Sequence, residues 1–301
     1  MGMVQPGSTP PEGSDSDEQL GGPTVVRMLL GTQLRRFREA SGITPDEAGY
    51  EIRATRFKIS RLEHGRVGFK ERDVADLLTM YGVTDEQKRA AMLSLAGQAN
   101  TPGWWSNYSD VVDDWLDTYL GLEAAASIIR TFELQFVHGL FQTEAYARAV
   151  TTLGHKATPA EEIDRRVSLR LKRQDLLTSP DPPRVWSVID EAALRRPVGG
   201  RSVMRGQLRH LTQVAELPRV TIQVVPFGSG AHAAASSSFS ILRFAEPELP
   251  DVVYIELLTT ALYLEKRDEV DHYMEVINHL STQALTPDRT TRFLNEITRE
   301  T

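Results

Sequence analysis

The stretch Thr44–Gly65, TPDEAGYEIRATRFKISRLEHG, decides how the chain reads. Thr44 is followed by Pro45 and, three residues on, by Glu47, the pattern of a reciprocal helix cap with proline at the first helical position. A second short helix, Thr55 to His64, follows a tight turn. Thr55 can cap it, because its hydroxyl can accept from a free first-turn N–H. Ile59 and Leu62 stand three apart and face inward. Arg56, Phe57, Ser60 and Arg61 fall on the other faces, with Lys58 beside them. Gly65 occupies the place where a left-handed residue ends a helix at little cost. A basic loop follows, with Arg66, Lys70 and Arg72. A short rod with an apolar underside and a cationic outer face suits the major groove of double-stranded DNA.

Helices flank this pair on both sides. Residues 24–41 read as a first helix, with Val26, Leu29, Leu30, Leu34 and Phe37 at three- and four-residue steps and Gly42 as its stop. Lys70–Tyr81 reads as a fourth, with Val74, Leu77 and Leu78 inward and Gly82 at its end. Thr84 is read as the cap of a fifth, running to about Ala99. Residues 24–100 therefore form one small helical bundle.

The spacing Leu34-Arg35-Arg36-Phe37-Arg38-Glu39-Ala40, Gly42-Ile43-Thr44 and Ile59-Ser60-Arg61-Leu62-Glu63-His64-Gly65 resembles the phage-repressor (Xre/Cro) type of helix-turn-helix domain. The resemblance implies an ion pair between Arg38 and Glu63. It places Arg56, Phe57 and Arg61 at base edges, with Thr55 and Lys58 nearer the backbone. Arg53, Ser60, Arg66 and Lys70 complete the expected DNA-facing set. Two departures from the pattern stand out: Pro45 replaces a glutamine, and Arg53 replaces the usual turn glycine, at a position that favours positive φ.

Composition sets the wider limits. With 301 residues, 41% of them apolar and 25% charged, the chain has room for two domains. It contains no cysteine, which excludes disulfides, thiolate metal sites and cysteine nucleophiles. No apolar run is long enough for a membrane helix and no secretory signal is visible, so a cytoplasmic protein is expected. The net charge of −7 argues against nucleic acid, but its distribution does not. Residues 1–23 are acidic and rich in Gly, Pro and Ser, a tail expected to stay unstructured. Residues 51–72 carry seven basic side chains against three acidic ones.

Residues 101–122 read as an aromatic hinge, with Trp104, Trp105, Tyr108, Trp115 and Tyr119. Asp110, Asp113, Asp114 and Asp117 lack the spacing and glycine of a calcium loop and read as a solvated face. From 123 to 301 the pattern is an α+β domain with a small sheet. Helices are expected over Glu123–Val137, Gln142–Leu153, Ala160–Thr178, Ser202–Glu216, Asp268–Gln283 and Pro287–Thr298. Strands are expected over Val185–Ile189, Val220–Val225, Ser238–Phe244 and Val252–Leu257.

This half resembles the WhiJ-like actinobacterial regulators through several motifs in order. They are Phe136-Val137-His138-Gly139-Leu140-Phe141, Asp190-Glu191-Ala192-Ala193-Leu194-Arg195-Arg196, Val224-Val225-Pro226-Phe227 with Gly230-Ala231-His232, and Tyr263-Leu264-Glu265-Lys266. The resemblance implies a DNA-binding transcriptional regulator with a large C-terminal domain that meets a small partner protein or ligand. It also implies an antitoxin-like role as the alternative. A homodimer is expected, and no cofactor. Trp104, Trp105, His138 and His232 are the candidate ligand or partner contacts. Asp190, Glu191, His155, His210, Glu256 and Glu265 join the two histidines as the groups that could serve catalysis. There is no nucleophile elbow, no phosphate loop and no metal-binding histidine pair, so no enzyme and no metal site are expected.

Overall fold

The structure is a computed structural model that describes residues 23–154, 158–234 and 237–301. Residues 1–22 of the acidic tail, His155 and residues 235–236 lie outside the described residues. The N-terminal half holds α1 (Pro23–Ala40), α2 (Pro45–Glu51), α3 (Arg56–Glu63), α4 (Glu71–Met80) and α5 (Glu86–Gln98). Thr44 and Glu47 form the reciprocal cap of α2, and Thr55 Oγ1 accepts from the Lys58 N–H at 3.3 Å to start α3. The cap of α5 is Asp85 and not Thr84. Its carboxylate accepts from the N–H groups of Gln87 and Lys88, and a full negative charge suits the positive end of a helix better than a hydroxyl.

Val26, Leu30, Leu34, Ile59, Leu62, Leu77 and Leu78 form the core of this bundle. Two glycines let α3 lie against α1. A Cβ at Gly31 would run into the carbonyls of Leu62 and Glu63, and one at Gly65 (φ +64°) would run into the backbone of Met28. The first helix also has a second apolar stripe. Val25 and Met28 share a core with Tyr119 and Leu122 of the other half, and Leu29, expected inside the bundle, packs there too.

A 3-10 turn, Trp104–Tyr108, leads to α6 (Asp114–Ala125) and then β1 (Ile128–Glu133). This corrects the helix expected over Glu123–Val137. Ala124 and Ala125 finish a helix that began ten residues earlier, and Ala126 caps it in an extended conformation. The β-branched and aromatic run Ile128-Ile129-Arg130-Thr131-Phe132 then becomes a strand buried inside the sheet. The remainder is α7 (Glu144–Gly154), α8 (Ala160–Arg173), β2 (Arg184–Asp190), α9 (Glu191–Arg195), α10 (Arg201–Val214), β3 (Val220–Val225), β4 (Phe239–Arg243), β5 (Val252–Glu256), β6 (Ala261–Leu264), α11 (Arg267–Gln283) and α12 (Pro287–Glu300). β6 was not expected from the sequence, and the helix expected to reach Thr178 turns to 3-10 after Arg173.

The six strands form one sheet in the order β3-β2-β1-β4-β5-β6. β1, β2 and β3 run parallel through helical crossovers, and the other pairs are antiparallel. The faces separate by the period of two. Ile129, Val185, Ile189, Val224, Leu242 and Val252 join α6, α7, α10 and α12. Phe132, Val188, Phe239, Ile241 and Val253 lie under α11. Among the described residues no helix is long and apolar enough to cross a membrane.

Candidate nucleic-acid interface

Helix α3 buries Ile59, Leu62 and Glu63 and leaves its other flank to solvent. Its base is fixed by charge. Arg38 Nε donates to Glu63 Oε1 at 2.5 Å, Nη2 donates to Oε2 at 2.9 Å, and Nη1 donates to the Ile43 carbonyl at 3.0 Å. The bond to Glu63, more than the burial that opposes it, holds the Arg38 pKa above its ordinary value. A two-pronged pair of this kind fixes both the roll and the height of α3 against α1.

The outer flank carries Arg56, Phe57, Ser60 and Arg61, all exposed. The Arg56 guanidinium rests 5.2 Å from the Phe57 ring centre, and that ring is 69% exposed. Arg53, just before α3, adopts φ +54°. An L-residue in this left-handed region carries strain of about 1–2 kcal/mol, so the turn keeps its shape without glycine and gains an exposed guanidinium. Arg53, Arg56, Arg61 and Lys70 have no ion-pair partner within 4 Å among the described residues. Lys70 is exposed in the N-cap position of α4, and Thr55 serves as the cap of α3.

Two expected phosphate contacts are placed differently. Lys58 Nζ is bonded to Asp73 at 3.0 Å. Arg66 donates to Glu265 Oε1 at 2.5 Å and to the Tyr263 carbonyl at 3.4 Å, and lies 5.1 Å from the Tyr263 ring centre. His64, the C-cap of α3, stands 3.5 Å from the same carboxylate. Glu265 thus takes hold of the end of α3 from the C-terminal domain. Tyr50, 88% exposed on α2, was missed in the sequence. Its signal was its place off the Ala48–Ile52 inner face, next to the turn.

The four candidate contacts in the second half divide. Trp105 is buried, and its Nε1 donates to Asp117 at 2.7 Å. His138 is buried as well. Its Nδ1 accepts from the Leu140 N–H at 3.3 Å, and burial lowers its pKa to about 4. His232 is nearly enclosed, with Nε2 3.1 Å from Asp190 Oδ2 and its ring edge-on to Phe132. These three are interior groups, whereas Trp104 lines a cavity. Asp190 also caps α9 through the Ala192 N–H.

Beside Trp105 lies a buried charge cluster that sequence reading missed entirely. Arg173 donates from Nε and Nη2 to the two oxygens of Glu123, both at 2.8 Å. The Tyr119 hydroxyl donates to Glu123 at 2.8 Å. Burial pushes the Glu123 pKa up, but Arg173 overrides this and holds it below the usual carboxylate range. Glu133 has no such partner among the described residues, and burial raises it well above that range, with Glu256 adding to the effect. Among the described residues no three His, Asp or Glu side chains are close enough together to hold a metal ion.

A five-helix bundle that turns a cationic short helix outward from a buried ion pair defines a helix-turn-helix protein. Residues 29–92 match the helix-turn-helix domain family, which points to a DNA-binding regulator. Residues 116–296 match the domain of unknown function DUF5753, and the chain belongs to that family. No curated protein and no solved structure is significantly similar to it.

Proposed function

We propose that the protein is a sequence-specific transcriptional regulator of the phage-repressor type, acting as a homodimer, with a C-terminal domain that receives a small partner protein or ligand. Catalysis is no part of this reading. The observation that carries it is the outer flank of α3, where Arg53, Arg56 and Arg61 stand exposed without an intramolecular counter-charge among the described residues. Guanidiniums in that position can pair bidentately with guanine edges or with phosphates. In this reading Arg56, Phe57 and Arg61 meet bases, Arg53 and Lys70 meet phosphates, and Glu265 sets the angle of α3. A dimer would place two such helices in half-sites about 34–36 Å apart. Selection of bound duplexes from a random pool tests this. A recurrent two-part motif is expected, and unselective recovery of all sequences would reject it.

An antitoxin-like reading is favoured by a different observation. The tip between β5 and β6 exposes Leu257, Leu258 and Leu262, and Leu258 is entirely exposed. Exposed apolar clusters of this kind mark protein contacts. Co-expression with a candidate small partner protein from a neighbouring gene should give a complex that Leu258→Asp abolishes. Survival of the complex in that variant would remove this surface from the reading.

A further inference from the structure

The Glu123–Arg173 pair forms part of the lining of a cavity of ≈ 390 Å³. That volume is within the range that encloses small organic ligands. Leu120 and Leu176 line it too, with Trp104. The Trp104 indole is braced by edge contacts with Trp105 at 5.9 Å and Tyr108 at 6.4 Å, so its ring has a fixed plane. A flat apolar wall held in place in this way suits stacking with an aromatic molecule.

The charged part of the lining defines the rest of the ligand. The Arg173 and Glu123 side chains are only 8% and 3% exposed. Of the five guanidinium donors, the pair uses one on Nε and one on Nη2, and Nη1 has no hydrogen-bond partner among the described residues. Arg173, which lines the cavity, therefore keeps an unused hydrogen-bond donor. The site offers no net charge, because Glu123 already neutralises Arg173, and Lys172 is bonded to Asp175 at 2.6 Å. An anionic ligand would bring a buried charge without a match, which is costly. A neutral acceptor such as a ketone or lactone carbonyl would not.

We propose that this cavity binds a neutral, flat aromatic molecule carrying a carbonyl, with its ring against Trp104 and its oxygen toward Arg173. The cavity is also placed to affect the DNA-facing half. Leu120 lines it, while Tyr119 and Leu122 of the same helix share a core with Val25 and Met28 of α1. The proposal rests on the reading of the C-terminal domain as the receiving half, so its test leaves DNA out.

The full chain is titrated with prodan, a neutral naphthyl ketone whose emission moves to the blue in a dry site. Anilinonaphthalene sulfonate serves as the charged comparison. One-to-one saturable binding of prodan is expected, with energy transfer from tryptophan. Ala124→Trp, which fills the cavity from an exposed helical position, and Trp104→Ala should each weaken binding about tenfold or more, and Ala124→Trp should do so while the melting temperature holds. The sulfonate should bind more weakly than prodan. Three results would overturn the proposal: no saturable prodan binding, wild-type affinity in the Ala124→Trp variant, or a sulfonate that competes for the site on equal terms. None of these results touches the DNA-binding reading, and an unselective duplex pool would leave the cavity standing.

Discussion

The two halves of the molecule use charge in opposite ways. The N-terminal bundle buries the ion pair Arg38–Glu63 and turns Arg53, Arg56 and Arg61 outward with no counter-charge within 4 Å among the described residues. The C-terminal domain encloses its most distinctive charges, the Glu123–Arg173 pair with Tyr119, and keeps His138 neutral beside them. A surface that leaves cations unmatched is prepared for a polyanion. An interior that matches them under a cavity is prepared for something small and uncharged. The halves meet where Glu265 reaches Arg66 and His64.

The largest effects should come from breaking the two buried pairs, each worth about 3–5 kcal/mol when one partner is removed. All four tryptophans lie at or beyond residue 104, so tryptophan emission follows the C-terminal half while circular dichroism follows both. Glu63→Ala should lower helical signal at denaturant concentrations where tryptophan emission is still native. Glu123→Ala should move the tryptophan transition itself. If both variants shifted both signals together, the halves would be one cooperative unit and the contrast would lose its energetic meaning.

Acid should separate the halves next. Burial holds His138 neutral with a pKa of about 4, below its ordinary 6.5, with Arg173 and Arg170 adding to the effect and Glu123 opposing it. Because the folded pKa is depressed, this stability is present above about pH 6.5 and is lost as pH falls through about 4, a change on the order of 3 kcal/mol. His138→Asn, which keeps an acceptor for the Leu140 N–H, should flatten the pH dependence of the tryptophan transition in that window. An unchanged slope would show that His138 is not the group responsible.

Smaller effects belong to the DNA side. Arg53→Gly should stabilise the bundle by about 1 kcal/mol by relieving the left-handed strain, while weakening binding to duplexes of every sequence. Tighter binding in that variant would remove Arg53 from the interface. Glu265→Ala should free Arg66, which lies at the loop after α3, and steepen the dependence of binding on salt by about one counter-ion. A slope equal to wild type would leave Arg66 as a purely internal group.

What could be read from sequence follows the range of the interactions. The caps at Thr44 and Thr55, the inward Ile59 and Leu62, and the outward Arg56 and Arg61 depend on neighbours within four residues, so spacing exposed them. Arg38–Glu63 spans 25 residues and came only through a family resemblance. Arg173–Glu123 spans 50 and Arg66–Glu265 spans 199, and no local pattern points to either. The misread strand β1 has the same cause. Its alanine-rich approach favours helix locally, and only pairing with β2 and β4 makes it the inner strand of the sheet.

The central claim is that the outer flank of α3 reads bases while the buried pair beneath it only positions the helix. The most direct measurement compares wild type with the Arg56→Ala, Arg61→Ala double variant on a selected duplex and on a scrambled one, at fixed ionic strength. The account predicts that each substitution removes about 1–3 kcal/mol of discrimination, so that the double variant binds both duplexes nearly alike while its melting curve stays native. Undiminished preference for the selected duplex in that folded variant would contradict it.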